Sequence, residues 1–154
     1  MYWEAAKLLI PPILAALLSG YLVNRFKSRE DAVEKRLDEL YAEIKLAADD
    51  ATIYWQTEPA ADDIVLKSAR TLAALARLDG LRSAIASHLS VSASKEMAAA
   101  GSEFMREATG GDFGVHNRNP DILRAARIQQ QASAYAVAVR KARMEDLKGL
   151  RRRS

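Results

Sequence analysis

The residues best suited to chemistry in this 154-residue chain fall between Thr109 and Pro120. Gly110, Gly111 and Gly114 stand there among Asp112, His116, Asn117 and Arg118. A loop of that composition could aim backbone N–H groups and one guanidinium at an anionic group. Its spacing matches neither a P-loop nor a dinucleotide fingerprint, and no strand pattern precedes it. Phe113 and Val115 are expected to pin the loop onto its scaffold. Asp112, Phe113, His116, Asn117 and Arg118 are then the candidate contact with a partner or ligand.

Other chemistry is thinly supplied. The chain has no cysteine, which excludes thiolate nucleophiles, disulfides and thiolate metal sites. Two histidines, His88 and His116, are too few and too far apart in sequence to indicate a metal site. Asp49-Asp50 and Asp62-Asp63 are adjacent pairs, and neighbouring residues on a helix point to different faces, so they read as solvated surface or caps. Nothing in the spacing gathers a serine, a histidine and an acid into one site. The expectation is a protein that is not an enzyme and carries neither metal nor cofactor.

The elements that must position the loop begin at the amino end. Leu8 to Val23 is sixteen residues without a charge, and with Tyr2-Trp3 at its start the run is long enough for a helix to cross a bilayer. Residues 1–24 are therefore expected to be a membrane anchor, with Pro11 and Pro12 kinking it or delaying its helix. Arg25, Lys27 and Arg29 crowd its downstream end, so the positive-inside rule puts the amino end outside and the rest in the cytoplasm, at the inner membrane of a cell. Those three residues and Arg151, Arg152 and Arg153 are candidate lipid contacts.

From the anchor onward small or apolar residues recur at steps of three and four, broken only by Glu30: Ala16, Ser19, Val23, Phe26, then Glu30, Val33, Leu37, Leu40 and Ile44, continuing to Ala47, Ala51 and Tyr54. Such a 3.5-residue repeat suits a helix–helix seam between copies of the chain. The same stripe would equally serve a helix buried against the chain's own later elements. Residues 25–58 are expected to form this coiled-coil-like helix, closed by Pro59.

Residues 59–154 read as a helical bundle carrying the glycine-rich loop, residues 109–120. A second helix places Ile64, Ser68, Leu72, Leu75, Leu78, Leu81, Ile85 and Leu89 on one face, with Gly80 a candidate break. A third, capped by Ser94, turns Met97, Gly101, Phe104 and Ala108 inward. The last starts at Asn119-Pro120, buries Ile128, Ala132, Tyr135, Val139 and Ala142, and runs to about Lys148. The fold class is all-α, since no stretch alternates apolar and polar residues. From Asp121 onward nine basic residues stand against three acidic. Without interleaved exposed aromatics this does not point to nucleic acid.

Two functions fit this layout. One is a membrane-anchored, self-associating interaction or scaffold protein with a cytoplasmic domain that meets a protein partner. The other is an oligomeric effector whose clustered anchors open a pore or perturb the bilayer, a reading weakened by the lack of any polar or charged residue from Leu8 to Leu18.

Overall fold

The computed structural model describes residues 27, 31–115 and 118–151, and these contain helices and no strand. The chain divides into two units, 1–35 and 36–154, and the architecture below is that of the second. The expected span, residues 1–24, lies outside the described residues. So do the upstream seam positions Ala16, Ser19, Val23 and Phe26, and the basic residues Arg25, Arg29, Arg152 and Arg153. No helix among the described residues is long and apolar enough to cross a membrane.

Four helices follow in order: α1 (31–56), α2 (Ile64–Ala86), α3 (Val91–Thr109) and α4 (Ile122–Arg151). Three residues before Pro59, α1 stops, and the Thr57 hydroxyl donates back to Ile53 O at 2.6 Å. A tight turn with Ala61 N donating to Glu58 O at 3.1 Å then reverses the chain into α2. Arg77 on α2 pairs with Glu43 on α1 at 3.3 Å, which fixes the two as an antiparallel hairpin. Ser90 caps α3, its Oγ accepting from Ala93 N at 3.1 Å. Ion pairs at both ends, Lys141–Glu96 (2.7 Å) and Arg127–Glu107 (3.1 Å), set α4 antiparallel to α3. α4 also runs antiparallel to α1, through Arg143–Asp38 at 3.3 Å and Gln129–Thr52 at 2.9 Å. The order is up, down, up, down, as short connections require.

One core fills the unit. α1 contributes Leu37, Leu40, Ile44, Ala47, Ala51 and Tyr54, α3 Met97 and Phe104, and α4 Ile128, Tyr135 and Val139. At Gly101 α3 lies so near α4 that a Cβ would stand 3.1 Å from Tyr135 Cζ. The Tyr135 hydroxyl is fully buried beside it and has no hydrogen-bond partner among the described residues.

Several positions differ from the sequence expectation. Leu37, Leu40 and Ile44 are 3%, 0% and 2% exposed within one chain. From Leu37 downward, the intramolecular alternative for the stripe is the one the fold fills. Leu72 is half-exposed, and Thr71 is buried in its place because its hydroxyl donates to Lys67 O at 3.0 Å, which removes the cost of burying it. α2 continues unbroken through Gly80. Ser90, not Ser94, caps α3, and α4 begins after Asp121, whose carboxylate accepts from Arg124 N at 2.7 Å, two residues later than Asn119-Pro120 suggested.

Candidate functional site

At its carboxyl end a helix leaves carbonyls without intrahelical partners and a partial negative charge. In α1 these groups receive the loop that joins α3 to α4. Arg118 donates to Tyr54 O and to Thr57 O (3.1 Å), and Asp121 N donates to Trp55 O at 2.9 Å. The Arg118 guanidinium also lies over two rings, its Cζ 4.3 Å from the centre of Tyr54 and 5.1 Å from Trp55. A planar, weakly hydrated cation suits this double role, capping carbonyls at its edge and stacking on its face.

A second arginine repeats the arrangement. Arg124, in the first turn of α4, stands 4.4 Å from the Trp55 ring and donates to Gly110 O. Trp55 in turn donates from Nε1 to Ala108 O at 2.9 Å, so the end of α3 is tied to the end of α1. The Tyr54 hydroxyl accepts from Gly114 N at 2.8 Å, and Phe113 stacks on Tyr54 with ring centres 4.5 Å apart. Gly111 and Gly114 have φ of +63° and +82°, a conformation that other residues adopt only with strain. The loop is thus a clasp between two helix ends.

The sequence-derived contact residues separate on this geometry. Phe113 is the expected pin, half-buried on Tyr54, whereas Val115, expected to pin the loop as well, is 50% exposed. Asp112 is exposed, and His116 and Asn117 lie outside the described residues. Arg118, expected to offer a cation to a partner, is only 4% exposed and is taken up by α1's own carbonyls and rings, so its placing at a contact surface is corrected. Among the candidate lipid contacts, Lys27 is exposed. Arg151 ends α4, with its side chain outside the description. Tyr54, Trp55 and Arg124 were not singled out from sequence as members of this site. The signal for the first two was an aromatic doublet at the end of a helix, just before Pro59.

Between the clasp and the start of α2 lies a cavity of about 270 Å³, lined by Tyr54, Pro59, Ile64, Val65, Ser68, Gly114 and Val115. Its side chains are apolar apart from the two hydroxyls of Tyr54 and Ser68. Within two residues of this lining stand exposed Glu58, Asp62, Asp63 and Asp112 and the cations Lys67 and Arg70, and Asp63 pairs with Lys67 at 2.8 Å. Among the described residues, no group of three or more His, Cys, Asp or Glu could hold a metal ion. Two ionisable groups elsewhere are shifted. Burial pushes the Tyr135 hydroxyl up to about 12, and a hydrogen bond to Glu96 raises the Lys141 ammonium. Neither lines the cavity. Comparison with models of protein families, with curated proteins and with solved structures finds no match to this chain.

Proposed function

We propose that the chain is a membrane-tethered helical interaction module. Residues 1–24 anchor it in the inner membrane with the amino end outside, and the bundle presents a surface to a protein partner in the cytoplasm. One observation carries the reading. α1 enters the bundle at Arg36, directly after the segment that follows the apolar run, while the clasp and cavity lie at its other end, near Tyr54. Some twenty helical residues, or about 30 Å, separate the two. A tethered adaptor needs that polarity, with attachment at one end and contact at the other.

Self-association in this reading belongs to the upstream half of the stripe, Ala16, Ser19, Val23 and Phe26, where small residues allow helices to approach closely. The test is fractionation with crosslinking in cells. The full chain should sediment with membranes, resist carbonate extraction, and crosslink to a second protein from positions near Val115 and not from positions near Arg36. A chain left in the supernatant would end the proposal. A collapse of membrane potential on expression, cured by replacing Pro11 and Pro12 with leucine, would replace it with the pore.

A further inference from the structure

α2 is held to the bundle along only part of its length. From Thr71 onward it buries Thr71, Ala74, Leu75, Leu78 and Ile85, and Arg77 pairs with Glu43 of α1 at 3.3 Å. Its first two turns, residues 64–70, contain no buried side chain, and Val65 and Leu66 are 66% and 60% exposed. Asp63, just before them, makes no side-chain hydrogen bond to the free N–H groups of the helix. Among the described residues, the hydrogen bonds and ion pairs of residues 58–70 are all local. Ala61 N donates to Glu58 O, Ile64 N to Ala61 O, and Lys67 pairs with Asp63. None reaches α1, α3, α4 or the clasp. The same stretch borders the cavity: Pro59, Ile64, Val65 and Ser68 are four of its seven lining residues, and the other three, Tyr54, Gly114 and Val115, belong to α1 and the loop. Contacts that a packed neighbour would supply are missing on that side. Two helical turns without such contacts do not offset the entropy of ordering their own backbone.

We infer that residues 58–70 form a lid, which unwinds and refolds while the rest of the bundle stays folded. Thr71 is its boundary. It is the first buried residue of α2, and its hydroxyl, donating to Lys67 O at 3.0 Å, acts as a brake on unwinding. The clasp is the fixed side. Gly114 N donates to the Tyr54 hydroxyl at 2.8 Å and Asp121 N to Trp55 O at 2.9 Å, and neither bond involves α2. Unwinding withdraws four lining residues together and uncovers the cavity side of Tyr54, which is 1% exposed with the lid closed. Access to the cavity is then set by a local opening and not by unfolding of the bundle.

Hydrogen exchange of the full chain, resolved to single amides and corrected for intrinsic rates, tests this. The amides of residues 67–70, which bond within the lid, should exchange at least about a hundredfold faster than those of Leu75, Leu78 and Ile85. Their rates should also depend little on added urea, since a local opening exposes little surface. Gly114 and Asp121 should stay with the slow set. Thr71→Val removes the brake and should speed the lid amides about threefold to tenfold. Ser68→Leu puts apolar bulk into the cavity and should slow them by about the same factor. Neither substitution should move the Gly114 amide. Exchange of residues 67–70 at the rate of Leu75 would overturn the inference. So would exchange of Gly114 and Asp121 at the lid's rate, or lid amides that ignore both substitutions.

Discussion

Arg118 carries its charge into the interior with no carboxylate beside it among the described residues. The carboxyl end of α1 stands in for the missing anion, through the Tyr54 and Thr57 carbonyls and the two ring faces. Arg118→Ala should therefore cost about 2–4 kcal/mol, read as a shift of the urea midpoint, and Arg118→Lys should recover less than half of it. Tyr135 is the opposite case, a buried hydroxyl with no hydrogen-bond partner among the described residues. Removing it in Tyr135→Phe should leave stability at pH 7 unchanged or raise it by up to about 1 kcal/mol. Burial raises its folded value from 10.0 to about 12, so the unfolded chain releases the proton first. That contribution is intact below pH 10 and is lost as pH climbs through 12, by about 2–3 kcal/mol in all. The difference in stability between wild type and Tyr135→Phe, followed from pH 9 to 12, should show this slope in the wild type alone. Arg118 was legible in sequence as a loop cation but not as a cap, because its partners lie more than sixty residues earlier.

At the scale of elements, the stripe on α1 decides between two assemblies. Leu37 and Ile44 are enclosed by their own chain, so Leu37→Asp or Ile44→Asp should cost more than about 3 kcal/mol and lower far-UV helicity along with tertiary structure. A smaller but still fully helical particle would return these positions to an intermolecular seam. Gly80 lies in an unbroken helix, exposed, with nothing within 4 Å of where a Cβ would stand. Gly80→Ala should then raise the unfolding midpoint, by about 0.5–1 kcal/mol in stability, since it restricts the unfolded chain at no steric cost. Periodicity located α3 and α4 well, and Met97, Phe104, Ile128 and Tyr135 are all inward as spaced. It failed at Thr71 and Leu72 for a physical reason. A 3.6-residue period leaves neighbouring positions nearly equivalent, and a hydroxyl that bonds back to its own helix can be buried as readily as a leucine.

For the whole molecule, the core of residues 36–154 closes on itself, through antiparallel contacts of α1 with α2 and α4 and of α3 with α4. A fragment lacking residues 1–24 should keep a single cooperative thermal transition by circular dichroism, and loss of that transition would make the apolar run part of the bundle. The amino-acid sequence by itself determined the helical class, the stop at Pro59, the inward faces of the last two helices and the place of the loop. These follow from local periodicity and from residues that cannot continue a helix. Tertiary structure alone decided which way the loop's charges face and whether the α1 stripe meets its own chain. Both depend on what lies beneath a side chain. For Arg118 that is the end of a helix more than sixty residues away, a partner that no spacing along the chain can name.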